Sequence, residues 1–138
     1  MPFLNPSIPL QPVAIASPER SWISEQARAH TCAAHMAEKV RDAHVSGKRM
    51  QPVMRTYLRN PQVRLSGALR ALGGNPSRGE AMALRDRVNE PAVRYCPVRW
   101  HAQKKSSGGE RYICTLPLEL KALHYMLKRP LEHLFDRN

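Results

Sequence analysis

The sequence has no long apolar run, and this absence excludes a membrane-spanning helix. Such a helix needs about 20 consecutive apolar residues, and none of the 138 residues belongs to a run of that kind. The apolar residues near the start are interrupted by Pro2, Pro6, Pro9 and Pro12 and lack the basic leader of a secretory signal. We therefore expect residues 1–17 to form an extended, proline-rich arm.

Cysteine is scarce as well, which argues against a disulfide framework. The chain has 3 cysteines, Cys32, Cys96 and Cys114, and an odd number at wide spacing indicates a reducing, cytoplasmic compartment. Cys96 and Cys114 fall on two predicted strands. They are expected there as cross-strand neighbours, packed as small apolar thiols rather than bonded.

The common signatures of enzyme chemistry are missing. The chain has no GxSxG, HExxH, GxxxxGK[ST] or GxGxxG pattern, and its histidines and cysteines do not show the spacing of zinc ligands. No catalytic residue and no metal ligand is therefore predicted. The histidines of the first helix are expected at the surface or on nucleic acid; they are His30, His35 and His44.

Acidic residues are few relative to basic ones, and this imbalance is the strongest global signal. The chain has 22 lysines and arginines against 11 acids, a net charge of +11. Such a charge favours a polyanionic partner: nucleic acid first, then an anionic membrane surface or an acidic protein. A protein kept soluble by its charge, or a component of a ribosome-like assembly, is the alternative.

Between Asp42 and Glu80 the sequence has no acidic residue at all. A solvated helix face normally mixes both signs of charge, so this stretch predicts a surface that binds RNA or DNA. Contact with an acidic partner subunit is the alternative. The cations of the stretch are Lys48, Arg49, Arg55, Arg59, Arg64, Arg70 and Arg78; all except Arg78, together with Arg99, are the predicted nucleic-acid contacts.

Residues 18–90 are predicted to form a basic helical region of four helices. Capping residues, prolines and glycines place the helices at 18–45, 48–59 (bent or started at Pro52), 61–72 and 80–88. The first helix has a shallow, alanine-rich stripe of Trp22, Ile23, Ala27, Ala33, Ala34, Ala37 and Val40. The third has a buried side of Val63, Leu65, Ala68, Leu69 and Leu72.

Residues 91–138 are predicted to contain an antiparallel β-hairpin and a helix, so that the fold is α+β and mainly helical before the hairpin. The strands are marked by aromatic and β-branched residues that suit a half-buried sheet: Val93, Val98, Trp100, Tyr112, Ile113 and Cys114. The loop between them, residues 104–109, is expected to offer backbone N–H groups and two ammonium groups to an anion. An apolar stripe predicts a helix from Leu118 that Pro130 interrupts, with another helical turn beyond it.

The stretch from Lys104 to Phe135 resembles the fingers region of reverse transcriptases, particularly the bacterial enzymes related to group II introns and retrons. It covers about a quarter of the chain, and the helices before it are loosely similar to the N-terminal extension of such enzymes. The matching positions are Lys104, Lys105, Gly108, Gly109, Arg111, Ile113, Pro117, Leu120, Lys121, Leu131, Glu132 and Phe135.

The resemblance implies a role for the basic residues of this region. In the family, a lysine before the turn and an arginine after it close over the triphosphate of the incoming nucleotide. These roles would fall on Lys104 or Lys105 and on Arg111, with Lys121 as a further phosphate contact. A lysine acts on phosphate as a point charge, whereas an arginine offers a planar fork. The alternative for Arg111 is a strand residue paired with a neighbouring acid, Glu110 or Glu119.

The sequence departs from the family in lacking the aspartate pair of the palm, which holds two divalent metals about 4 Å apart. We therefore expect a nucleic-acid-binding fingers and N-terminal component that needs a palm from another chain or segment. No cofactor is expected in this chain itself, and Mg²⁺ only in an assembled polymerase. Glu132 and Asp136 are typical of a surface salt-bridge pattern. Split viral RNA-dependent RNA polymerases and a non-catalytic basic RNA- or DNA-binding protein remain open.

Overall fold

The computed structural model describes residues 18–88 and 98–135. Within them the chain forms, in order, α1 (Pro18–Val45), α2 (Met50–Arg59), α3 (Pro61–Leu72), α4 (Arg78–Arg87), β1 (Arg99–Lys104), β2 (Glu110–Thr115) and α5 (Leu118–Phe135). The predicted α+β class is confirmed. The predicted arm, together with Val93 and Cys96 of the first predicted strand, lies outside the described residues. The helices of the described ranges include none long and apolar enough to cross a bilayer.

Helix α3 is the centre of the helical part and packs against α1, α4 and α5. Its ends follow from the sequence: the Asn60 side chain accepts from the N–H groups of the first turn, Pro61 occupies the first helical position, and Gly73 ends the helix at φ +64°. Val63, Leu65, Ala68 and Leu69 are buried as predicted, and Leu72 is partly buried.

Small residues let α3 approach its neighbours closely. Ser66, Gly67 and Ala68 are all buried, and a Cβ on Gly67 would lie 2.6 Å from Met126 Cγ and 2.8 Å from the carbonyl oxygen of Ala122. Both of those residues belong to α5. The backbones of α3 and α5 therefore touch where glycine leaves room for them.

The predicted stripe of α1 is confirmed in its middle and only in part at its start, where Trp22 is partly buried against the core. Ala33, Ala37 and Val40 are buried, but Ile23 is 64% exposed and Ala27 is exposed. The buried line passes through Ala29 instead. At about 100° per residue, Ile23 and Ala27 lie on other sides of the helix from Ala29.

The prediction that Pro130 interrupts the last helix is wrong, because α5 continues through it to Phe135. A proline has no N–H, so the carbonyl of Met126, four residues earlier, loses its helical donor. The hydroxyl of Tyr57 on α2 donates to that carbonyl instead, at 2.5 Å. Tyr57 is 2% exposed, and burial raises the pKa of its hydroxyl to about 12, against the opposing charges of Arg129 and Arg70.

The predicted half-buried strands are largely exposed. All of β1 is exposed, and in β2 only Ile113 and Cys114 are partly buried. Trp100 and Tyr112 are 68% and 73% exposed. The two strands form a sheet of their own, so aromatic residues that usually mark a covered face here meet solvent. Cys114 pairs with Trp100, so the predicted cross-strand position of Cys96 is taken by another residue.

Two helix starts differ from the prediction. Helix α2 begins at Met50 rather than at Lys48, and Pro52 lies within its first turn, where its missing N–H costs no hydrogen bond. Helix α4 begins at Arg78, two residues before the predicted start, because the Ser77 side chain accepts from the N–H of Glu80 and caps it.

Candidate nucleic-acid interface

The register of the hairpin decides which of its cations share a face. Gln103 pairs with Arg111, and Lys104 pairs with Glu110. Because successive residues of a strand point to opposite faces, Lys104 and Arg111 lie on opposite sides of the sheet, and Lys105 lies in the loop beyond β1. The structure therefore does not bring Lys104 and Arg111 together on one face.

Arg111 has a partner within the hairpin. Its Nε and Nη2 both donate to Oε1 of Gln103, at 3.1 and 2.8 Å. This amide takes the place of the acidic partners predicted from the sequence. Glu110 lies on the opposite face of the hairpin, and Glu119 forms an ion pair with Arg87 of α4 at 3.0 Å. The Gln103 amide leaves the positive charge of Arg111 in place, but it engages two of the five N–H donors of the guanidinium.

Two backbone N–H groups of the loop at residues 105–109 form hydrogen bonds within the loop. The N–H of Lys105 donates to the carbonyl of Gly109 at 3.0 Å, and the N–H of Gly108 donates to the carbonyl of Lys105 at 3.2 Å. Gly108 and Gly109 have φ of +88° and +84°, which glycine adopts without strain. Two of the N–H groups predicted to contact an anion are thus engaged within the loop, while the side chains of Lys104 and Lys105 are exposed.

Trp100 and Tyr112 lie on the face of Lys104 and are exposed, although the sequence predicted a half-buried sheet for them. Trp100 pairs with Cys114 and Tyr112 with Ala102, so the two rings stand diagonally across the strands on one side. Exposed aromatic rings beside lysines form the stacking surface of proteins that bind single-stranded nucleic acid. The signal was present in the sequence as aromatic residues on both sides of a basic loop.

The opposite face of the hairpin is the more basic of the two, because Lys104 pairs with Glu110 on the face of Trp100. Arg99, His101 and Gln103 are every second residue of β1, so their side chains share one face. The pairing of Gln103 with Arg111 shows that this is the face of Arg111. All of these side chains are exposed. A strand of nucleic acid would meet cations on either face, but aromatic rings only on the face of Trp100.

The predicted cations of the helices are divided by the structure. Lys48, Arg49, Arg55, Arg59 and Arg70 are exposed, as a phosphate contact requires. Lys121 is also exposed, in the first turn of α5.

Two cations of the acid-free stretch have structural partners. Arg64 is partly buried, and its Nε donates to the carbonyl of Leu58 at 2.9 Å. Arg78 forms an ion pair with Glu25 of α1, with Nε 2.9 Å from Oε2, and this hydrogen bond raises the pKa of the Arg78 guanidinium. The stretch between Asp42 and Glu80 contains no acidic residue, but the fold places Glu25 of α1 next to it.

His30 is not simply at the surface. Its Nδ1 lies 2.7 Å from Oγ of Ser66 on α3, and its ring is partly buried. Burial lowers the pKa of His30, and the charges of Arg70 and Arg129 lower it further. Burial and these two positive charges therefore favour the neutral form of His30 over the protonated form.

The lowered pKa of His30 predicts a loss of stability in acid. The unfolded chain binds a proton near the ordinary pKa of 6.5, while the folded chain binds it only at a lower pH, so the free energy of unfolding falls as the pH drops through that value. We expect His30→Gln to flatten this dependence when urea unfolding is compared at about pH 7.5 and about pH 5.5. The control is His35→Gln on the same helix, at an exposed position; an equal effect of both variants would contradict the role of His30.

Within residues 18–88 and 98–135, no group of three or more histidine, cysteine and acidic side chains could hold a metal ion. The Mg²⁺ expected for an assembled polymerase stays a prediction. Lys128 and Glu132 form the expected ion pair at 3.8 Å across one helical turn, whereas Asp136 lies outside the described residues.

Comparisons with protein-family models, with curated proteins and with solved structures found no match to this chain.

Proposed function

We propose that this chain binds nucleic acid through its hairpin and serves as the fingers and N-terminal component of a reverse transcriptase-like polymerase, with the palm supplied by another chain or segment. One observation carries the proposal: the hairpin is exposed, and one of its faces combines Trp100, Tyr112 and Lys104. Exposed aromatic rings next to cations attract the bases and phosphates of an unpaired strand together.

Electrostatics supports the same partner. The exposed cations of α2, with those of the hairpin, give a polyanion two contact regions. Each phosphate contact releases counterions, so the logarithm of the binding constant should fall linearly with the logarithm of the salt concentration. A strongly basic chain with a net charge of +11 would also be drawn to RNA or DNA at long range.

The second candidate is a non-catalytic RNA- or DNA-binding protein, and the state of Arg111 favours it. In a nucleotide-closing hairpin, an arginine holds the triphosphate of the substrate. Here Arg111 already donates two hydrogen bonds to Gln103. Under this candidate the hairpin binds strands through stacking and charge, with no dependence on nucleotide.

Nucleic-acid binding is tested first with the rings. Trp100→Ala and Tyr112→Ala are each expected to weaken binding of a 5′-hydroxyl single-stranded RNA or DNA about tenfold, because one stacked base contributes on the order of 1–3 kcal/mol. Fluorescence anisotropy at fixed salt gives the dissociation constant. The control is Tyr125→Ala, an exposed tyrosine of α5 that is not part of the hairpin. Binding that does not distinguish Tyr112→Ala from Tyr125→Ala would refute the stacking surface.

Arg111→Ala separates the two candidates. In primer extension with a chain that carries the palm aspartates, the polymerase proposal expects loss of nucleotide use while RNA binding is largely kept. The binding-protein candidate expects no effect of Arg111→Ala on binding, and a loss when Arg55→Ala and Arg59→Ala are combined. Absence of both a complex and extension with such a chain would remove the polymerase proposal and leave the binding protein.

A further inference from the structure

Three arginines from three helices converge on one surface pocket that lies apart from the hairpin. Arg59 ends α2, Arg64 lies in the first turns of α3, and Arg85 lies near the end of α4; with Pro61 and Asp86 they line a pocket of about 270 Å³. Only Arg59 and Arg64 belong to the cations predicted from the acid-free stretch. Arg85 lies beyond it, so the cluster exists only in the folded chain.

The charge of this pocket is not balanced. The fold pairs Arg78 with Glu25 and Arg87 with Glu119 across helices, but the pocket has one carboxylate, Asp86, for three guanidinium groups. Like charges brought together repel unless an anion lies between them. The lining has a net charge of two positive units, which matches a dianion.

Two of the three guanidinium groups are already oriented. The Nε of Arg64 donates to the Leu58 carbonyl at 2.9 Å, which fixes the plane of the group and leaves its terminal nitrogens for a ligand. Arg85 contacts a single carboxylate oxygen, Oδ1 of Asp86, from Nε at 3.1 Å and from Nη2 at 3.0 Å. The donors are the arginines rather than the start of α3, because the Asn60 side chain already accepts from the first free N–H groups of that helix.

We propose that the pocket lined by Arg59, Arg64 and Arg85 binds a phosphate monoester, carried by the end of a nucleic-acid strand or by a free nucleotide. A monoester is a dianion near neutral pH and presents three terminal oxygens, enough for three planar forks. A diester within a strand carries one charge and two such oxygens, and it fits the lining less well. Because the pocket is open to solvent, the esterified remainder can extend outward.

Replacing Asp86 is expected to have the opposite effect on phosphate binding from replacing one of the arginines. The Asp86 carboxylate holds Arg85 and repels an incoming dianion, so Asp86→Asn should strengthen phosphate binding severalfold. Arg59→Ala and Arg85→Gln should weaken it about tenfold, the usual size for a charge-assisted contact. A misfolded variant cannot gain affinity, so Asp86→Asn separates a binding effect from a folding effect.

The experiment compares two single-stranded oligonucleotides of the same sequence, one with a 5′-phosphate and one with a 5′-hydroxyl, by anisotropy with a label at the 3′ end. The wild-type protein is expected to prefer the phosphorylated strand about tenfold. Arg59→Ala and Arg85→Gln should bring this ratio close to one, and Asp86→Asn should raise it. The matched control is Arg55→Ala, which removes the same charge from the same helix outside the pocket and should weaken both strands equally.

Competition with a nucleoside 5′-monophosphate, against the unphosphorylated nucleoside, identifies the source of the phosphate. Competition by the monophosphate at concentrations near the dissociation constant of the phosphorylated strand, lost in Arg85→Gln, would assign the pocket to a free nucleotide. Competition only at far higher concentrations, with the preference for the phosphorylated strand kept, would assign it to a strand end. A wild-type ratio of one together with no competition by the monophosphate overturns the proposal, as does a ratio that Arg55→Ala abolishes equally. Because the readout is a ratio, it is independent of the stacking tested with the 5′-hydroxyl strand.

Discussion

Replacing Gly67 by alanine is expected to lower the free energy of unfolding by about 3 kcal/mol. The new Cβ would lie 2.6 Å from Met126 Cγ and 2.8 Å from the carbonyl oxygen of Ala122. Met126 can change rotamer, but the Ala122 oxygen belongs to the backbone of α5. The helix as a whole must therefore move away from α3. Alanine normally favours a helix over glycine by about 1 kcal/mol, so the steric cost outweighs this gain.

Gly79→Ala is the matched control, since Gly79 also lies in a helix. A Cβ there would meet only Ser77 Oγ, at 4.0 Å. This variant is expected to gain about 0.5–1 kcal/mol, because alanine restricts the unfolded chain and fits the helix. Urea unfolding followed by circular dichroism measures both. A Gly67→Ala protein as stable as the wild type would show that α3 and α5 can separate without cost.

Tyr57→Phe is expected to cost about 2 kcal/mol, because it leaves the buried Met126 carbonyl without a donor. In an ordinary helix the N–H of residue 130 would fill that role, but Pro130 has none. Pro130→Ala returns an N–H to this place. Tyr57→Phe should therefore cost at least about 1 kcal/mol less in the Pro130→Ala background than in the wild type. Strict additivity of the two changes would contradict this account.

Alkaline unfolding provides a second measurement of the same bond. The hydroxyl of Tyr57 keeps its proton in the folded state up to a pKa of about 12, whereas the unfolded state releases it near 10.0. The folded state thus holds more protons between these values, and its stability falls as the pH rises through them, by on the order of 2–3 kcal/mol. Tyr57→Phe should lack this loss. Tyr125→Phe, at an exposed position of α5, should retain it.

The sequence predicted the helices well where their signals are local. Asn60 and Pro61 begin α3, Gly73 ends it, and the structure has the same limits. Pro130 could not be assessed in this way, because the cost of an internal proline depends on whether another group satisfies the freed carbonyl. That group, Tyr57, lies 69 residues from Met126. Local propensity describes the cost, but only tertiary structure shows how it is offset.

The candidate site could be predicted in its residue types but less in its arrangement. Lys104 and Arg111 lie on opposite faces because successive residues of a strand point to opposite sides. This follows only when the pairing register of the two strands is known, and the register depends on the whole hairpin rather than on either residue. The exposure of Trp100 and Tyr112 could not be predicted, because aromatic residues in strands usually mark a covered face. The convergence of Arg85 with Arg59 required the packing of both α2 and α4 against α3.

The hydrogen bond from Tyr57 to the Met126 carbonyl also has a consequence for how the molecule opens. It makes the second half of α5 depend on a helix that comes much earlier in the chain. A fluctuation that lifts α2 from the core therefore exposes an unpaired carbonyl beside Pro130 and loosens α5 there. We therefore expect the amide protons of α2 and of this part of α5 to exchange with solvent through a shared opening rather than by separate fraying.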